Sequence, residues 1–100
     1  LIRIIIQPRG RMKIQTAKDL KIGDIVKVDC MTLDGEYRWT GLCNWHDGTT
    51  DEQGKPVGNA YKFGFIVMSN IDAEYRANDE ITWTIHDLRI AEAEVISESR

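Results

Sequence analysis

Asp19-Leu20-Lys21-Ile22-Gly23-Asp24-Ile25-Val26-Lys27-Val28-Asp29-Cys30 is the stretch that decides the fold, because a Gly-Asp corner feeds straight into an alternating, β-branched run. Gly23 can take a positive φ and Asp24 can hydrogen-bond nearby backbone, so the pair predicts a tight turn rather than a catalytic element. Beyond the corner, Val26, Val28 and Cys30 fall on one face and Lys27 and Asp29 on the other. That is the period-2 pattern of a half-buried strand over about 25–31.

The same period recurs downstream. Leu33-Asp34-Gly35-Glu36 supplies an Asp-Gly turn, after which Tyr37, Trp39, Gly41, Cys43 and Trp45 alternate with Arg38, Thr40, Leu42 and Asn44. In the run 61–69, Tyr61, Phe63, Phe65 and Val67 stand opposite Lys62, Gly64, Ile66 and Met68, which predicts a strand buried on both faces near the middle of a sheet. Two further runs are expected at 81–85 and 89–96, with a short turn at Asp87-Leu88 between them. Single helical turns are expected over 16–20 and 72–76. From His46 to Ala60 large apolar residues are few, while glycine, proline and the acids Asp47, Asp51 and Glu52 accumulate, so this segment predicts a long exposed loop.

Five β-runs with almost no amphipathic helix predict an all-β domain that buries its apolar faces by curling or by pairing two small sheets. The Gly-Asp corner leading into the first strand, and His86-Asp87-Leu88 between the last two, resemble the SH3-like fold pattern over 16–96. The resemblance implies a small five-stranded, partly open barrel with one long loop. An OB-like barrel and an α+β roll are the alternatives. The pattern carries no function with it.

One hundred residues suffice for one modest core, and 42% apolar with 29% charged content is that of a globular chain. Pro8 and Gly10 separate an N-terminal arm, residues 1–11, from a single domain over 12–100. The chain opens on Leu1 and its first methionine is Met12, so the arm reads as an extension or a non-native start. The formal charge is −3, and setting aside Arg3, Arg9 and Arg11 leaves 10 basic against 16 acidic residues. An acidic body disfavours general contact with phosphate backbones. No apolar run approaches a membrane span or a signal segment, so no membrane association and a cytoplasmic location are expected, the host cytoplasm if the source is a phage or mobile element. In that compartment Cys30 and Cys43 would stay reduced.

Candidate chemistry is sparse. Cys43 and His46, with Cys30 and His86, include thiolate and imidazole ligands that suit zinc, but a single Cys-x2-His pair lacks the second paired knuckle of a structural site, and both histidines read as surface residues. His46 and His86 each precede an aspartate, and Cys43 is a thiol nucleophile by type, yet adjacency in sequence does not build a triad. Asp47, Asp51 and Glu52 lack a calcium-loop pattern. No cofactor, metal site or enzyme activity is therefore expected.

The eight aromatics Tyr37, Trp39, Trp45, Tyr61, Phe63, Phe65, Tyr75 and Trp83 exceed what so small a core should bury. Trp39 and Phe65 are the expected core residues, and Trp45 is the expected exposed one. Exposed aromatics beside acids can form a groove for a peptide, a methylated lysine or a stacked base. The chain thus reads as a non-enzymatic binding or accessory module that engages a protein partner through Trp45, His46, Asp47, Asp51, Glu52 and Tyr61. The alternative is a nucleic-acid-binding barrel that uses the basic residues Arg3, Arg9, Arg11 and Lys13. Exposed edges at 89–96 or 2–6 would also allow a homodimer.

Overall fold

The predicted corner forms. Asp24 N–H donates to Lys21 O at 3.1 Å, and Gly23, third in the turn, has φ +99°, which a type II turn demands at that position. The Asp24 side chain is buried and accepts from Lys21 N–H at 3.0 Å. The corner is then stitched to a strand twenty residues away: Gly23 N–H donates to Cys43 O at 2.8 Å, and Cys43 N–H donates to Asp24 O at 2.9 Å. Just upstream, Thr16 opens a 3-10 turn at Ala17–Asp19 with a reciprocal capping box, which is the helical turn expected over 16–20.

The computed structural model describes residues 12–32, 35–52, 56–57, 60–70 and 75–98. The arm 1–11, turn residues 33–34 and most of the helical turn expected over 72–76 lie outside them. The described elements are β1 (Met12–Lys13), β2 (Ile25–Thr32), β3 (Gly35–His46), β4 (Thr49–Thr50), β5 (Pro56–Val57), β6 (Lys62–Asn70), β7 (Glu80–Thr84), α1 (Ile85–Ile90) and β8 (Glu94–Ser97). Six strands form one antiparallel sheet in the order β1-β8-β2-β3-β6-β7, and β4 pairs with β5 separately. The all-β class holds, with an open sheet whose edges are β1 and β7.

Four expectations need correction. The sheet has six strands rather than five, because Met12–Lys13 pairs with β8 at Val95 and Glu94. The loop 46–60 carries the small β4–β5 pair. The last run is a strand only over Glu94–Ser97, since Arg89 and Ile90 belong to the helix α1, and the expected Asp87-Leu88 turn is part of that helix too. Finally, β6 does lie inside the sheet, but only one face is fully buried: Phe63, Phe65 and Val67 are inaccessible, whereas Lys62 and Met68 are exposed.

The inner face gathers Val26 and Val28 from β2, Trp39 and Cys43 from β3, Phe63, Phe65 and Val67 from β6, and Val95 from β8. Ile14, Leu20, Leu88 and Ala93 close the same cluster. Each fully buried Leu, Val or Phe contributes about 1.5–3 kcal/mol, so this cluster is the main stabilising element. Gly41 sits inside it for lack of room: a Cβ there would lie 2.8 Å from Cζ3 of Trp39, whose ring covers the glycine.

The helix α1 is held at both ends. Thr84 Oγ1 accepts from Asp87 N–H at 3.0 Å, and at the other end Ala93 N–H donates to Leu88 O while Glu92 N–H donates to Arg89 O. That is a Schellman motif with Glu92 in the left-handed position at φ +54°, where glycine is usual. Glu92 also pairs with Lys13 Nζ at 2.7 Å, joining the helix end to β1 across a solvent-exposed contact.

Substituting Gly23→Ala places a Cβ in a positive-φ position and is expected to lower unfolding stability by about 1–2 kcal/mol. Urea denaturation checks this, as a lower midpoint at unchanged slope.

Candidate functional site

A broad concavity opens between the far end of the β2–β3 hairpin and the β7–α1 edge. It is a groove of about 470 Å³, lined by Cys30, Tyr37, Tyr75, Thr82, Trp83, Asp87, Ile90 and Ala91. Strand register explains the convergence. Cys30 pairs with Tyr37 across β2–β3, and Trp83 pairs with the inaccessible Phe63, so all three lie at the rim of the inner face.

The rings are packed against one another. Tyr37 and Trp83 meet edge to face with centroids 5.6 Å apart and planes at 84°, and Tyr75 lies 6.4 Å from Tyr37. Trp83 Nε1–H donates to the Tyr75 hydroxyl at 3.0 Å, fixing one wall to the other. Behind them Trp39 touches Phe65, Trp83 and Tyr75 at 5.2–6.3 Å. The Trp39 Nε1–H is buried without a hydrogen-bond partner. Such an orphaned donor costs about 1–3 kcal/mol. Among the described lining residues there is one carboxylate, Asp87, and no lysine or arginine.

The loop residues expected to bind are placed as follows. Trp45 is 46% exposed, as expected, and its ring lies over Gly64 on the outer face. His46 is not a surface residue: a register shift between Cys43 and Trp45 adds one residue to β3, so Cys43 and His46 both turn inward and Trp45 turns outward. His46 packs against Phe63, and its Nδ1 accepts from Gly48 N–H at 3.1 Å. Asp47 Oδ1 accepts from Tyr61 N–H at 2.8 Å and Lys62 N–H at 3.2 Å, which ties the end of β3 to the start of β6. Tyr61, Asp51 and Glu52 are exposed. The segment therefore gives structural hydrogen bonds to the side chains of two of the six named residues, His46 and Asp47.

The nucleophile and metal candidates are not assembled into a site. Burial pushes the Cys43 thiol up to about 12, with its Sγ 3.8 Å from Trp45 O, so the reactive thiolate is suppressed. Burial, with Asp29 nearby, raises Cys30 as well. His86 is exposed on α1. Among the described residues no three His, Cys, Asp or Glu side chains come together as a metal site. Of the basic residues set aside for nucleic acid, Arg3, Arg9 and Arg11 lie outside the described residues, and Lys13 is engaged with Glu92. No described helix is long and apolar enough to cross a membrane.

Tyr37, Tyr75, Trp83 and Asp87 are the groove residues that the sequence reading did not assign to a site. Their signal was present in part, as a tyrosine isolated in the polar segment 70–80 and as Trp83 in phase with Ile81. What was missing was the spatial pairing of β6 with β7 that brings Trp83 round to Tyr37. Comparison with known proteins finds no matching family model, no matching curated protein and no matching solved structure.

The two amide hydrogen bonds hold the Asp47 carboxyl below its ordinary value of 3.8. A depressed folded-state pKa contributes stability above that ordinary value, and the contribution is lost as pH falls through the folded pKa. Asp47→Ala is thus expected to cost on the order of 1 kcal/mol at pH 7, the size of an exposed cap. The difference from the unaltered protein should begin to shrink as pH falls to about 4, where the unfolded carboxyl starts to protonate, and should disappear only below the folded-state pKa, where the carboxyl is protonated in both states. Chemical denaturation at pH 7 and at pH 3 measures both values.

Proposed function

We propose that this protein is a non-enzymatic binding module of the SH3-like barrel type, and that it engages a segment of a protein partner in the groove of Tyr37, Tyr75 and Trp83. The observation that carries the reading is the groove itself: three aromatic side chains left half-buried at the rim of an otherwise dry inner face, where complete burial would stabilise more. The barrel assignment is supported by a last strand, β8, that returns beside the first long strand, β2, and by a short helix immediately before it. The absence of catalysis is supported by the suppressed Cys43 thiol and by the inward, hydrogen-bonded His46.

Tyrosine and tryptophan at a groove offer large rigid contact area at low entropic cost, and they dominate measured binding energies at protein interfaces. Asp51, Glu52 and Tyr61 are exposed and lie outside the groove lining, and the test separates them from the groove. Random 12-residue peptides displayed on phage are panned against the protein, and the selected peptides are mapped by chemical-shift perturbation. The Trp83 indole N–H is expected to shift. Tyr37→Ala should weaken binding by about tenfold or more, the loss of one interface anchor, while the double variant Asp51→Asn, Glu52→Gln stays within about twofold. The reverse pattern would move the contact surface to the loop, and a failure to enrich any binder would contradict the module reading.

A further inference from the structure

We infer that the groove takes a methylated ammonium group, the side chain of a methylated lysine on the partner. This rests on the binding-module reading and names the chemistry of its ligand. Three aromatic residues line one concavity, and two of them, Tyr37 and Trp83, stand with their planes at 84°. Perpendicular walls present π-faces in more than one direction, and a cation is held by the negative face of an aromatic ring within about 6 Å of its centroid.

Charge selects the same ligand. The described lining carries the Asp87 carboxylate and no basic side chain, so an anion would meet a carboxylate with nothing to neutralise it. The arginine nearest in the hairpin, Arg38, is drawn toward Asp29 and Glu36 at 3.3 and 3.5 Å. The chain as a whole is acidic, which favours approach of a cationic segment.

Hydration favours methylation over a bare ammonium. An unmodified ammonium holds its water tightly through three N–H donors and must give that water up against the ring faces, where the Tyr75 hydroxyl already accepts from Trp83. A trimethylated ammonium carries the charge without donors. It is weakly hydrated, and its methyl groups can lie against the ring faces with Asp87 beside them. Asp87 sits at the third residue of α1, held there by the bond from its N–H to Thr84, and supplies the long-range attraction.

The test uses the intact protein and small probes. Nα-acetyl-trimethyllysine methylamide is titrated into isotope-labelled protein, alongside the carbon isostere in which a neutral tert-butyl group replaces the trimethylammonium, and alongside unmethylated lysine. The expected result is a saturable shift of the Trp83 indole N–H, with the trimethyl probe bound roughly tenfold more tightly than the isostere. Asp87→Asn should narrow that preference by several-fold. Tyr37→Leu, which keeps apolar bulk and removes the π-face, should abolish it while the spectrum stays dispersed. Equal binding of probe and isostere would overturn the inference, as would equal binding of unmethylated lysine. Binding of neither probe would overturn it as well. A peptide selected on phage that still binds the groove without any cation would then leave the module reading standing, whereas no peptide binder would remove both.

Discussion

Everything in this small sheet depends on the lock between the Gly23-Asp24 corner and Cys43. Two backbone hydrogen bonds, 2.8 and 2.9 Å long, fasten the turn to β3 at Cys43, one residue beyond the Ile25–Leu42 pair at the end of the β2–β3 ladder. Side-chain period in a strand is two residues, so a slip of one would send every inward residue outward. The lock prevents that slip. From it follow Val28 opposite Trp39 and Cys30 opposite Tyr37, and hence the position of one groove wall.

The other wall comes from β6 and β7 by the same logic. β3 pairs with β6 through two register shifts, and β6 pairs with β7 without one, so Phe63 and Phe65 carry Trp83 and Ile81 to the inner side. The helix α1 then crosses the open edge and sets Asp87, Ile90 and Ala91 along it. Fold and groove are thus one construction. The aromatic cluster that completes the core on its inner side, through Trp39 and Phe65, is the same cluster that lines the groove on its outer side, through Tyr37, Tyr75 and Trp83.

Local signals in the chain were legible wherever chemistry is local. The Gly23-Asp24 corner, the capped turn at Ala17–Asp19 and the strands β2, β3, β6 and β7 all follow from residue type and period, whereas the exposure of Trp45 was legible only from its place at the edge of the long loop. Two features resisted for identifiable reasons. The extra residue between Cys43 and Trp45 leaves no mark in composition, yet it inverts the phase of β3 and buries His46. The helix α1 stops at Glu92, in a left-handed conformation without the glycine that would have announced it, and its threonine cap is also an ordinary strand residue. The groove was legible only as a surplus of aromatics. Which of them meet is decided by strand pairing at long sequence separation, which periodicity does not encode.

The most direct test of this account is a set of side-chain nuclear Overhauser contacts in uniformly labelled protein. Cross-peaks are expected from the Trp83 indole ring to Tyr37 and from its Nε1–H to the Tyr75 ring, together with Trp39 to Phe65 contacts behind them. A Trp83 indole that shows no contact to either tyrosine, with shifts near those of an unstructured chain, would contradict it, because strand register would then not be bringing the two walls of the groove together.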